Sequence, residues 1–322
     1  MNKIRWGIMG TGRIAGIFCD MLHKLEHAEI YAVASRTEGK ALEFGSQYKA
    51  QKCYGSYEEL VQDADVDIVY VATPIACHYD NVKLCLLAGK GVLCEKAFVQ
   101  TVAEAEELYA LAKEKNVFLM EAMWTKCQPI FRRIMTWKKE GKFGEIQGVE
   151  ARFYTAATKE HRLIKQKSQG GVVMDLLIYP LMYACALLGY EPKEVRAVAV
   201  KGGDDNIDVM DSVQLLYENG SFASLVSGLA QQKMVSLYIH GTKGRVLLEE
   251  EYMFQAQKAV LYDWNNHPIE KVTIPFYING YEYEAIEAMN CIAEGKIQSE
   301  LVPMEETIAI LRLLEKCKEQ WQ

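Results

Sequence analysis

Four short segments carry residue types and spacings that could do chemistry. The first is Gly10-Thr11-Gly12-Arg13-Ile14-Ala15. Gly10 permits a tight turn, Gly12 lets backbone approach a phosphate, and small Ala15 lets a helix pack closely on a strand. A helix starting there offers free N–H groups and a positive dipole end to a pyrophosphate. Alone, such a pattern could be a structural turn. Here a strand, loop, helix and second strand fall in the order that a dinucleotide site needs. The second strand ends in Ser35-Arg36-Thr37. An acidic residue there would hold the adenosine ribose hydroxyls of NAD. Two hydroxyls and a guanidinium instead suit a 2′-phosphate. NADP is therefore the expected cofactor, with NAD left open.

The other segments could act on a substrate. Thr73-Pro74 and His78 follow an apolar strand, where loops line the cofactor crevice of a parallel sheet. His78 is given a contact role only. Glu95-Lys96 ends a further strand at the same edge. That pair could be a solvated strand exit. An ammonium there could also hold a substrate hydroxyl and stabilise the alkoxide that accompanies hydride loss. Last comes Gly170-Gly171-Val172-Val173-Met174-Asp175-Leu176-Leu177-Ile178-Tyr179. Asp175 and Tyr179, four apart in an apolar helix, share a face. Spacing alone fits a hydrogen-bonded structural pair as well as a tyrosine acid/base.

The elements that must position these residues change character along the chain. Strands are expected at Ile4–Met9, Ile30–Ser35, Ile68–Ala72, Val92–Cys94 and Val117–Met120. Helices are expected at Ile14–Leu25, Lys40–Tyr48, Asn81–Ala88 and Val102–Lys115. This alternation gives a Rossmann-type, doubly wound parallel sheet with helices on both faces, an α/β domain. It is assigned residues 1–121. After a helix from Pro129 to Glu140, strand patterns dominate. Asn219-Gly220 sits between two of them as a hairpin turn. Residues 122–322 are read as an α+β domain with a large, mostly antiparallel open sheet, for substrate binding and dimerisation. Val172–Leu188 is its buried helix. Helices at Tyr281–Ala293 and Met304–Trp321 close the chain, and these could pack back on the first domain.

Composition narrows the classes. The 322 residues carry 36 basic and 43 acidic side chains, a net charge of −7. A nucleic-acid binder would usually show a basic face, so none is expected. No apolar run reaches the roughly 18 residues of a membrane span. The start, Met1-Asn2-Lys3, resembles no signal peptide, and no added arm to clasp a cofactor is expected. The nine cysteines include no CxxC pair and read as small buried residues in a reducing, cytoplasmic compartment. No His/Cys/Asp group has metal-ligand spacing, so no metal is expected.

Taken together, the Gly10–Ala15 loop, Ala72-Thr73-Pro74 with His78, Glu95-Lys96, and Gly170-Gly171 with Asp175 and Tyr179 resemble the glucose-fructose oxidoreductase / inositol dehydrogenase / rhizopine-catabolism (Gfo/Idh/MocA) family, over nearly the whole chain. Glu121-Ala122-Met123-Trp124-Thr125 and a tyrosine at position 179 resemble its dimeric dihydrodiol dehydrogenase branch. The resemblance implies NAD(P)-dependent oxidation of a secondary alcohol on a sugar, cyclitol or diol. It implies that Lys96 is the active-site lysine, Tyr179 the acid/base, Asp175 its supporting carboxylate, and Trp124 a neighbour of nicotinamide and substrate. It implies a homodimer through the open sheet. Tyr154, Arg162 and Phe276 are guesses for the substrate pocket.

One departure stands out. The usual Glu-Lys-Pro reads Glu95-Lys96-Ala97. A cis bond before a residue other than proline costs about 3 kcal/mol, so a trans bond is expected at Ala97. The principal rival reading is a non-catalytic dinucleotide-binding regulator. Another is an enzyme cycling two sugars over a retained NADP.

Overall fold

The structure is a computed structural model that describes residues 3–156, 171–202, 206–230, 232–248 and 253–321. The chain divides into two compact units. One takes residues 1–127 and 277–307, the other 128–276 and 308–322.

The first unit is built on six parallel strands, β1 (Ile4–Met9), β2 (Ala28–Ala34), β3 (Lys52–Tyr54), β4 (Ile68–Val71), β5 (Gly91–Glu95) and β6 (Leu119–Ala122). Their order is β3-β2-β1-β4-β5-β6. Strands β1 and β4 are buried along almost their whole length, as expected of a sheet covered on both faces. Helices α1 (Arg13–Leu22), α2 (Glu38–Gln47), α3 (Tyr57–Gln62), α4 (His78–Leu87) and α5 (Val102–Lys115) connect them. Helix α5 is bounded at both ends by its own sequence. Thr101 and Glu104 form a capping box, and Asn116 closes it in the left-handed region. The core holds an aromatic stack. Phe18 lies 3.8 Å from Tyr70 with planes 15° apart, and Trp6 meets its edge.

Residues 277–307 belong to this unit. Leu119 N–H donates to Ile297 O at 2.9 Å, which ties the segment to β6. The segment contains the helix Glu282–Ala293, α8 below, and the first turn of the helix Met304–Glu319, α9 below.

The second unit opens with α6 (Pro129–Lys139), which has proline at its first position. Its sheet has eight strands: β7 (Ile146–Ala156), β8 (Glu194–Gly202), β9 (Ile207–Leu216), β10 (Phe222–Ala230), β11 (Met234–Gly241), β12 (Gly244–Leu248), β13 (Lys258–Asp263) and β14 (Pro268–Thr273). The order is β14-β13-β12-β11-β7-β10-β9-β8, antiparallel except where β7 meets β10. Burial alternates along β9, so one face is covered and one is open. The expected Val172–Leu188 helix is not uniform. A π-turn over Val173–Leu177 precedes α7 (Ile178–Leu188).

Candidate active site

In the first unit, four loops leave the carboxyl edge of adjacent strands in the order β2, β1, β4, β5. They carry Ser35-Arg36-Thr37, Gly10–Ile14, Thr73-Pro74 and Lys96, so the sheet brings these residues to one edge. Gly10 has φ +103°, and a Cβ there would fall 2.9 Å from the Ala72 carbonyl oxygen. Gly12 caps α1 with nothing within 4 Å of a built Cβ, so its backbone is open to a ligand. The loop fits a dinucleotide pyrophosphate on these observations. Beside it lies a cleft of about 490 Å³ between α1 and α2, lined by Thr11, Gly12, Arg13, Ile17, Lys40 and Phe44. Ser35 is buried, and its N–H donates to Tyr54 O. Arg36 and Thr37 are exposed. The Arg36 charge acts on Tyr57, opposing the burial that pushes that phenol up.

His78 lies within the sheet edge. Its ring is 1% exposed and bound to backbone. Nε2 lies 2.8 Å from Thr73 O, and Nδ1 lies 3.1 Å from Ala97 O and 3.0 Å from Phe98 O. Burial lowers its pKa against those carbonyls. Its ring nitrogens lie against the backbone of the β4 and β5 loops, so it positions both. Asn81, which the sequence reading missed, donates to Thr73 Oγ1 at 2.9 Å.

Lys96 is half-buried at the end of β5. The expectation of a trans bond after it is overturned: Lys96–Ala97 is cis. The backbone that follows is held from two sides. His78 takes the carbonyls of Ala97 and Phe98, and Glu121 accepts the Phe98 N–H at 3.1 Å.

An acid cluster surrounds this edge. Glu121 is 2% exposed and also accepts the Thr307 hydroxyl at 2.8 Å. Burial raises its pKa against those bonds and the charges of Lys126 and Lys96. Glu284 on α8 is fully buried, and neither carboxyl oxygen has a hydrogen-bond partner among the described residues. Burial and the charges of Glu95 and Glu121 raise it well above the carboxylate range, which favours the neutral acid. Tyr70, also fully buried, donates to Glu95. Trp124 is 4% exposed and stacks on Tyr281 at 4.0 Å, planes 10° apart. Tyr281 and Glu284 lie too far along the chain from Lys96 for spacing to suggest them.

In the second unit, Asp175 is half-buried within the π-turn and Tyr179 is buried in α7. A π-turn closes i→i+5, so four residues still bring both near one face. Tyr179 packs against Phe254 at 5.0 Å and Phe153 at 6.0 Å. Tyr154 on β7 and Phe276 are half-buried. Arg162 and Gly170 lie outside the described residues. Among the described residues no group of three or more His, Cys, Asp or Glu is placed to hold a metal, and no helix is long and apolar enough to cross a membrane. All nine cysteines are free thiols.

Comparison with known proteins shows the family. Residues 4–123 match the family described as "Oxidoreductase family, NAD-binding Rossmann fold", and residues 131–247 match "GFO/IDH/MocA C-terminal domain". The chain is 31% identical over 325 residues to trans-1,2-dihydrobenzene-1,2-diol dehydrogenase of Bos taurus, covering 98% of this chain and 96% of that protein. It is 32% identical over 363 residues to D-xylose 1-dehydrogenase (NADP(+)) of Hypocrea jecorina, covering 98% and 92%. Among solved structures, KijD10, a 3-ketoreductase from Actinomadura kijaniata in complex with NADP and TDP-benzene, superposes with TM-score 0.88 at 25% identity, covering 100% of this chain and 98% of that one.

Proposed function

The chain belongs to the Gfo/Idh/MocA oxidoreductase family, and from that premise we propose that it moves a hydride between NADP and a secondary alcohol or carbonyl of a sugar, cyclitol or diol. It is an NAD(P)-dependent dehydrogenase or reductase acting on CH–OH groups. The observation that carries the reading is the single sheet edge holding both the Gly10–Ile14 loop and Lys96.

The nicotinamide supplies a hydride acceptor or donor at C4. The chain does the rest. Backbone at Gly12 and the start of α1 meets the pyrophosphate, and Arg13 and Arg36 supply positive charge in an otherwise acidic chain. Lys96 donates hydrogen bonds to the reacting oxygen, and Tyr179 takes or returns its proton. Asp175 orients that phenol. Trp124, fixed by Tyr281, supplies an aromatic wall. Residues 1–121 are the dinucleotide domain in this reading, and 122–322 supply the acid/base and substrate contacts, Tyr154, Arg162 and Phe276 among them.

A homodimer through the open face of the second sheet accompanies the proposal. Val198, Val200, Leu216 and Phe222 are exposed on three adjacent strands there, which is costly for a face left in water. Nine free thiols, seven of them buried, favour a reducing compartment such as the cytoplasm.

The test is a screen of purified protein with NADP and NAD against aldoses, inositols, diols and dicarbonyls. Turnover with NADP on one of these classes supports the reading. Tight NADP binding with no turnover on any class would replace it with the regulator.

A further inference from the structure

Strand β9 carries Asp208 and Asp211, three residues apart. In a regular strand they would face opposite sides of the sheet. The pairing with β8 slips here. Met210 faces Val200 but Asp208 faces Lys201, so Val209 is an extra residue. Such a bulge re-aims the side chains beyond it. Asp208 thereby joins Asp211 on the covered face, and the two carboxyls interact.

Asp208 does something specific there. One carboxyl oxygen accepts the backbone N–H of Val173 at 2.7 Å. Val173 opens the π-turn that contains Asp175 and leads into Tyr179. Gly171, at φ +72°, leaves room for this contact, since a Cβ there would fall 1.9 Å from the other oxygen of Asp208. Asp211 backs the arrangement. It is fully buried, and neither of its oxygens has a hydrogen-bond partner among the described residues.

We propose that Asp208 and Asp211 form an acid pair on the covered face that holds one proton and fixes the start of the helix bearing Asp175 and Tyr179, making Asp208 a positioning residue for the acid/base. The inference rests on the reading of Tyr179 given above. Two ionised carboxyls on one covered face would repel, so one remains protonated. The ionised member is then a strong acceptor for the Val173 N–H. The groups facing the pair are few. Lys318 of α9 brings a positive charge to Asp208, and Cys317 feels Asp211. Lys201 is the register partner of Asp208, and Ser227 on β10 stands opposite Asp211. Burial and the Asp208 charge both hold Asp211 in its protonated form. At alkaline pH its proton is lost, the two charges repel, and the helix start is released.

Four variants of the intact chain test this: Asp208→Ala, Asp208→Asn, Asp211→Asn and Tyr179→Phe. Asp208→Ala should lower kcat by about tenfold or more, with NADP affinity within about threefold of the parent. Asp208→Asn keeps an acceptor for Val173 and should recover most of that loss. In Asp211→Asn the pair cannot gain a second charge. The ratio of its kcat to the parent's should rise about fivefold or more from neutral to alkaline pH. A merely structural pair would not move that ratio. A flat ratio overturns the proposal, as does full kcat in Asp208→Ala. If Asp208→Ala does not fold, the Asp211→Asn ratio decides alone. Activity retained in Tyr179→Phe overturns the acid/base reading and this inference with it. Activity lost there but kept in Asp208→Ala overturns the inference alone.

Discussion

The imidazole of His78 lies 3.1 Å from the carbonyl oxygen of Ala97, so the residue that starts α4 holds the residue that follows Lys96. Its other nitrogen takes Thr73 O at 2.8 Å. One buried ring therefore sets the spacing between two loops of the sheet edge. Replacing it with alanine removes its one N–H donor from these carbonyls, at a cost of about 1–3 kcal/mol. His78→Ala should lose that much stability in urea unfolding and lower kcat together.

His78 also sets an acid limb. Burial lowers its pKa below the ordinary value of about 6.5, so the unfolded chain binds the proton more readily than the native one. Its contribution to stability is complete above about 6.5 and is lost as pH falls below that. His78→Asn should flatten this part of the stability profile. An unchanged slope in the variant would mean that another group causes the limb.

Asp211 acts in the opposite sense. Burial and the Asp208 charge push it up to about 9, whereas the unfolded value is about 4. The native state holds the extra proton between those values, so stability falls as pH rises through the window and levels off above it. Asp211→Asn removes that slope. The melting temperature of the variant relative to the parent should rise steadily with pH, and a constant difference would contradict the assignment.

The cofactor loop makes two further predictions. Gly10→Ala places a methyl group 2.9 Å from Ala72 O in a backbone conformation that disfavours alanine. NADPH affinity, read by fluorescence titration, should drop at least about tenfold. Arg36→Ala removes a charge-assisted contact worth about 1.5–3 kcal/mol to a 2′-phosphate. NADP affinity should fall about tenfold or more while NAD affinity stays within about twofold. Equal losses for both would refute the 2′-phosphate role.

Much of the first unit was legible because its signals are local. The Gly10–Ala15 loop and Lys96 each sit beside the strand that positions them. Strand β3 escaped notice because Lys52–Tyr54 is only three residues long, with no period to detect. Glu284 and Tyr281 escaped because their neighbours are distant in sequence. Asp208 escaped for a sharper reason. A strict two-residue period sends it to the opposite face from Asp211, and only the bulge at Val209 reverses this. Ala97 misled in another way. The intrinsic preference for trans is real, yet the bond is cis, and the partners of the backbone that follows it, His78 and Glu121, stand 19 or more residues away along the chain.

The central claim is that Lys96 and Tyr179 do the proton chemistry while the Gly10–Ile14 loop holds the cofactor. The most direct measurement is kcat alongside NADPH affinity for Lys96→Ala and Tyr179→Phe, on a substrate found in the screen. The account predicts that kcat falls by about a hundredfold or more in each, with NADPH affinity within about threefold of the parent. Full turnover in both variants would contradict it.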